Sequence, residues 1–230
     1  MAMIDKTTAM RDAIARIPDG ASVMLGGFGV PGTPFCLIEE LVRQGQKGLT
    51  IIKNDANETG MGVDWLLESG QVSKLVTSHI GLNPRAVKMM NAGEIEVEFA
   101  PQGILAERIR VAGAGVMGFV TDIGIGTDMA KGKVEVSVDG NVGLLEPALR
   151  ADFALVHASK SDTFGNLVFS ATARNFNPLI AMAADFTIAE TETLLPAGEI
   201  LPDEVHTPAP FVDQVVVMSS LPEVYGVVKR

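Results

Sequence analysis

The sequence predicts an α/β fold: a single domain over residues 1–230, built on an open, mostly parallel but mixed sheet with helices on both faces. Two observations carry this expectation. Short apolar runs alternate with amphipathic helical stretches, and a glycine-rich turn joins the first apolar run to a proline-started helix. The runs Ala21 to Leu25, Leu49 to Lys53, Val72 to Ser78, Ile95 to Ala100, Asp152 to Ala158 and Asp185 to Glu190 are too short for helices and read as buried strands. Between them, Pro34, Leu37, Ile38, Leu41 and Val42 recur at helical spacing and form one apolar stripe. Asn83-Pro84 supplies an N-cap followed by proline at the first helical position, before Val87 and Met90, and Ile104 to Val111 reads as a further helix. Lys133 to Val138 and Val142 to Leu145 flank Asp139-Gly140-Asn141, so an antiparallel hairpin is expected there, which is why the sheet is expected to be mixed. Glu146, before Pro147, reads as a loop residue, and the proline-rich stretch from Leu201 to Phe211 as an extended surface crossing.

With 230 residues and 47% hydrophobic content, the chain can bury a sizeable core. Its net charge of -10 argues against nucleic acid and anionic membrane surfaces as partners. No apolar run approaches the roughly 20 residues of a membrane helix. Asp5, Lys6 and Arg11 near the start do not read as a signal peptide. Cys36 is the only cysteine, so an internal disulfide and a thiolate metal cluster are both excluded, and a reducing, cytoplasmic setting is expected. His79, His157 and His206 have no ligand-like spacing, so no metal site is expected. A mean hydropathy of +0.28 suggests additional burial at a subunit interface.

The richest segment runs from Asp19 to Pro34, where an apolar strand enters Gly26-Gly27-Phe28-Gly29-Val30-Pro31-Gly32 and then a helix. Glycines at a strand-to-helix junction allow positive φ and close approach of a ligand to backbone N–H groups. Gly27 to Gly32 matches G-x-G-x-x-G, and Asp55 closes the next strand roughly 20 residues on, as a dinucleotide fingerprint requires. Gly113 to Gly118 matches the same pattern after a helix, however, and no hydride-transfer site follows either one, so tight turns explain both.

The order Asp-Gly, two free positions, three apolar residues, then Gly-Gly-Phe-x-x-x-Gly-x-Pro resembles the first signature of the family I CoA-transferases, in their α subunit. The resemblance continues through the blocks Leu49 to Asp55, Ser78 to Pro84, Pro101 to Arg110, Gly113 to Gly115, Leu149 to Leu155, Asp162 to Leu167 and Ala173 to Leu179, which together cover nearly the whole chain. It implies that CoA passes from an acyl-CoA to a free carboxylate through a glutamyl-CoA thioester, with coenzyme A as substrate and no resident cofactor. The family's glutamate belongs to a Ser-Glu-Asn-Gly motif of the other, β subunit, and this chain contains no Glu-Asn-Gly. The resemblance therefore implies a β subunit that carries the nucleophile, a hetero-oligomer such as α2β2, and no catalytic residue in this chain.

By the same resemblance, Gly26, Gly27, Phe28, Gly29, Val30, Pro31 and Gly32 form the CoA-binding segment. Pro31 lacks an N–H, so the expected oxyanion donors are Gly29, Val30, Gly32 and Thr33. Gln102 is expected to contact the acyl group, because a neutral amide binds a carboxyl without neutralising the nucleophile. His79, at a strand end, is expected to border the pocket. Where some 3-oxoacid members carry Pro-Glu-Asn, this chain reads Pro34-Phe35-Cys36, and where Thr-Pro-Thr-Gly is common it reads Thr121-Asp122-Ile123-Gly124. The first difference predicts a less polar acyl pocket, and the block from Ser78 to Pro84 resembles the acetate/acetoacetate group more than the 3-oxoadipate group. Alternatives are a CoA-thioester hydrolase on the same scaffold, an NAD-binding oxidoreductase and a noncatalytic small-molecule sensor.

Overall fold

A computed structural model describes residues 4–228. After helix α1 (Met10–Ile14), strand β1 (Ser22–Leu25) opens a run of strand–helix units. These are α2 (Phe35–Gln44), β2 (Leu49–Ile52), α3 (Val63–Glu68), β3 (Val72–Thr77), α4 (Pro84–Ala92), β4 (Glu96–Phe99) and α5 (Gln102–Gly113). Each strand lies parallel to the one before it. The chain then leaves the sheet for β5 (Gly118–Thr121), β6 (Glu135–Val138) and β7 (Asn141–Pro147). It returns through β8 (Ala151–Asp162), β9 (Leu167–Val168), α6 (Asn177–Ala183), β10 (Ala184–Leu195) and β11 (Gln214–Val217).

The main sheet has the order β11-β10-β8-β1-β2-β3-β4, so the first half of the chain builds outward on one side of β1 and the second half on the other. Alternate residues of β1 enter opposite layers. Val23 and Leu25 pack with Leu37, Leu41 and Leu66 under the α1–α4 layer, and Met24 packs with Leu105, Ile109 and Ile180 under α5 and α6. Because both faces are covered, β1 and β2 read as near-continuous apolar runs, whereas the edge strand β4 alternates Glu96, Val97, Glu98 and Phe99.

All six expected strands form, with β8 and β10 each extending to 12 residues. Asn83 caps α4, its side chain accepting the Ala86 N–H at 2.9 Å. The hairpin also forms, closed by Asp139 and Gly140 at φ 51° and 80°, which is the primed two-residue turn its sequence calls for. It belongs to a separate three-stranded sheet, β5-β7-β6, so the mixed character of the main sheet comes instead from β9 antiparallel to β8. Glu146 is not in a loop but in β7, 1% exposed and ion-paired with Lys133. The stretch Leu201 to Phe211 contains two short 3-10 turns and buries Thr207 and Ala209, because Thr207 bridges to Leu167.

Candidate functional site

The glycine loop leaves the C-terminal end of β1, between β2 and β8, where the strand order reverses and open α/β sheets gather their ligands. Gly27, Gly29 and Gly32 adopt φ of 98°, 58° and 79°. The missing side chains have different reasons. A Cβ on Gly26 would lie 1.9 Å from Asn177 Oδ1, one on Gly27 2.2 Å from Thr33 Oγ1, and one on Gly32 2.5 Å from the Ala173 carbonyl. At these three positions the close approach is by the protein itself. Gly29 alone of the four has nothing within 4 Å of that point, so its open side faces free space.

Two groups of side chains hold the loop. On the β2 side, Asp55 Oδ2 accepts the Gly29 N–H at 2.9 Å, and Asn57 Nδ2 donates to the Gly29 carbonyl at 2.8 Å. On the β8 side, Asn175 Nδ2 donates to the Pro31 carbonyl and Asn177 Nδ2 to the Gly32 carbonyl, both at 3.0 Å. The Tyr225 hydroxyl donates to the Thr33 carbonyl. Of the expected oxyanion donors, Gly29 and Thr33 are therefore already spent, Gly29 on Asp55 and Thr33 on the Val30 carbonyl. Among the described residues, no acceptor meets the N–H groups of Gly27, Val30 and Gly32.

Asp55 also accepts from Lys53 Nζ, Asn54 Nδ2 and the Asn57 N–H. Burial alone would raise its pKa, but the Lys53 charge and these amide donors overcome that and hold the carboxyl below its ordinary value. A carboxylate so fully occupied has no oxygen free for a ribose, which removes the observation that pointed to a dinucleotide. The second glycine match lies at the end of α5, where it closes a helix and follows no strand.

A small cavity of about 100 Å³ opens beside the loop, lined by Phe28, Gly29, Val30, Asp55, His79 and Leu82 among others. Its walls are largely apolar, and Phe28 and Leu82 are exposed at it. His79 is exposed there too, with Nδ1 3.1 Å from Ser78 Oγ. Gln102, the first residue of α5, is not among its lining residues. Instead Gln102 Nε2 donates to Asn54 Oδ1 at 2.9 Å, and Ser78 Oγ donates to the Asn54 carbonyl at 2.6 Å. The tips of β2, β3 and β4 thus share one polar network, and through Asn54 and Asp55 it reaches Gly29.

A second cavity of about 340 Å³ lies on the other side of the loop, against Pro31, Gly32, His157, Ser159, Glu192 and Tyr225. Gly26 and Gly27 line neither cavity. Phe35 is fully buried between Trp65 and Tyr225, with ring centroids 5.7 and 5.1 Å away, and lines neither cavity. Burial pushes the Cys36 thiol up to about 12, which leaves it no thiolate at neutral pH.

Residues 7–218 match the family model for coenzyme A transferase. This chain belongs to the coenzyme A transferase family. Among curated relatives, it is 44% identical to the α subunit of the acetate CoA-transferase of Escherichia coli K12 over 215 residues, covering 94% of this chain and 98% of that one. It is 46% identical to a succinyl-CoA:3-ketoacid coenzyme A transferase subunit of Xanthomonas campestris pv. campestris, covering 90% of this chain and 85% of that one. Among solved structures, the acyl-CoA transferase YdiF of E. coli O157:H7, in its thioester complex with CoA, superposes with a TM-score of 0.86 at 24% identity. That match covers 96% of this chain and 49% of YdiF, so this chain spans about half of that enzyme, and the likeness shows the shared fold. Within this coenzyme A transferase chain, the sequence reading missed Asn54, Asp55, Asn57, Asn175 and Asn177 as loop-holding residues. Asn54, Asp55 and Asn57 follow β2 while Asn175 and Asn177 stand at the start of α6, and only the folded sheet brings the two groups against the glycine loop.

Among the described residues, no helix is long and apolar enough to cross a membrane.

Proposed function

We propose that this chain is the α subunit of a hetero-oligomeric CoA-transferase that moves CoA from a short-chain acyl-CoA or 3-oxoacyl-CoA to a small carboxylic acid. The observation that carries the reading is the glycine loop. It is pinned from both sides, yet leaves the N–H groups of Val30 and Gly32 without acceptors at the end of the central strand. In the proposed reaction a glutamate carried by the β subunit makes the attack on the thioester carbonyl carbon, and the C=O electrons move onto oxygen. Collapse of this tetrahedral anion breaks the C–S bond, releasing CoA thiolate and leaving an acyl-glutamyl anhydride. The thiolate then attacks the glutamyl carbonyl, the donor acid departs as carboxylate, and the acceptor acid takes up CoA by the reverse steps. Preorganised backbone N–H donors in such a loop stabilise the oxyanion by about 3 to 4 kcal/mol each in the type case.

In this reading CoA is a substrate and no resident cofactor is needed. Gln102 positions the acid, held by Asn54, and His79 borders the entry to the smaller cavity. Acetate or a 3-oxoacid is the preferred acid class, the partner arrangement is α2β2, and the setting is the cytoplasm. The test combines the chain with a β subunit carrying Ser-Glu-Asn-Gly and follows labelled CoA between two acids. Transfer to the acceptor acid supports the reading. Loss of acyl-CoA without acceptor-CoA would assign a hydrolase instead.

A further inference from the structure

The second cavity has a floor that the proposed chemistry leaves unexplained. Glu190 on β10 is completely buried, and a carboxylate in that position is costly without partners. It lies in register with His157 on the neighbouring strand β8, so the sheet itself sets the pair. His157 Nδ1 is 2.8 Å from Glu190 Oε1, and the other carboxylate oxygen accepts the Leu37 N–H, also at 2.8 Å.

Leu37 belongs to the first turn of α2, whose own N-cap position, Pro34, offers no side-chain acceptor. Glu190 therefore caps α2 from across the sheet, taking up an N–H group that a helix start otherwise leaves unsatisfied. The glycine loop runs directly into this turn. The backbone N–H of His157 donates to Asn177 Oδ1 at 3.2 Å, and Asn177 in turn holds the Gly32 carbonyl. Tyr225, which holds the Thr33 carbonyl, stacks on the imidazole with ring centroids 4.9 Å apart.

We propose that His157 and Glu190 are positioning residues for the glycine loop, fixing the first turn of α2 and, with Asn177 and Tyr225, the carbonyls of Gly32 and Thr33. The assignment rests on the CoA-transferase reading, because it gives the N–H groups of Val30 and Gly32 an anion to meet. The imidazole faces Glu190 and Glu192 from β10, the latter at 3.2 Å from Nε2, and Tyr225 from the C-terminal segment. Glu190 in addition faces the Cys36 thiol of α2, near Glu39. Burial pulls the imidazole's pKa down, but hydrogen bonds and charge from Glu190 and Glu192 outweigh it and raise it above the ordinary value. Complete burial raises the Glu190 carboxyl above its ordinary value as well, so each member of the pair holds a proton more readily than it would in water, and loss of the shared proton would leave the capping carboxylate uncompensated.

Two measurements test the proposal. Hydrogen exchange on the free chain is compared for wild type, His157→Gln and His157→Lys. Residues 30–37 should exchange about tenfold faster in His157→Gln, with β1 and β8 unchanged, and return to wild-type protection in His157→Lys. In the complex with the β subunit, His157→Gln should lower kcat about 10- to 100-fold while KM for the acid stays within about twofold. His157→Lys should restore kcat and remove its alkaline decline, since lysine keeps its proton. Wild-type exchange and kcat in a folded His157→Gln would overturn the proposal. If His157→Gln does not fold, Glu190→Gln decides: it keeps an acceptor for Leu37 but removes the charge, so the alkaline decline of kcat must move to lower pH, and an unmoved profile overturns the assignment. A wild-type complex that transfers no CoA would sink the transferase reading alone, because the exchange measurement still judges the positioning role.

Discussion

At Gly29 a positive φ of 58° coincides with open space, whereas at Gly32 a positive φ coincides with crowding. The two glycines should therefore fail differently. Gly29→Ala carries the left-handed strain of an L-residue, about 1 to 2 kcal/mol, and points a methyl at the smaller cavity. We expect folded protein with a modestly lowered melting temperature and a larger loss in transfer rate, measured in the assembled complex. Gly32→Ala drives a methyl into the Ala173 carbonyl, so we expect it to reduce the yield of folded chain before any kinetic effect appears. Gln102 offers a second contrast, because its amide donates to Asn54 Oδ1. Gln102→Ala should cost about 1 to 3 kcal/mol in kcat/KM for the acid, with the dissociation constant for CoA unchanged. Gln102→Glu should be worse, since it sets an oxygen against the Asn54 oxygen and adds a negative charge where the acid is expected. Equal, wild-type efficiencies for both variants would remove Gln102 from the site.

Elements were legible where their residues carry the signal themselves. The strands β1 and β2 are buried on both faces because helices cover both, and the truncation Ile51→Ala should cost about 2 to 5 kcal/mol in denaturant unfolding. The glycine loop was legible because positive φ leaves a compositional mark. By contrast, β11 escaped notice: it is four residues long, Gln214 to Val217, and is made a strand by its pairing with Ile188 to Thr191. Asp55 suggested a ribose ligand because sequence spacing shows how far apart residues are along the chain, not which N–H group each carboxylate meets. His157 and Glu190 lie 33 residues apart and face each other only because β8 and β10 pair in register. Sequence could place each of them on a strand, but the pairing of those strands was decided by the whole sheet.

For the molecule as a whole, two buried ion pairs set opposite pH limits. The Asp55 pKa is lowered on folding, so its contribution to stability is present above the ordinary value of 3.8 and lost as pH falls through the folded-state value. The His157 pKa is raised, so its contribution is complete below 6.5 and lost as pH rises through the folded-state value. Burial lowers the Lys53 pKa and raises that of Glu190, which subtracts from each pair, so the expected decline in melting temperature on the two flanks is the part owed to Asp55 and His157. Asp55→Asn should flatten the acid flank and His157→Lys the alkaline one. The positive mean hydropathy has a structural counterpart in Val120, Val138, Val142 and Leu145, exposed on the smaller sheet. The isolated chain should show no CoA transfer until its β partner is added, and borohydride should then reduce the glutamyl-CoA thioester on the added chain to an alcohol, with release of CoA thiol and loss of activity; turnover by the chain alone would contradict the division of labour proposed above.

The contact between Tyr225 and Thr33 has a practical side. It brings the segment Glu223–Val228 back against the loop at its junction with α2. A probe attached within this segment would sit beside that junction, so a label placed there risks disturbing the loop it was meant only to report on.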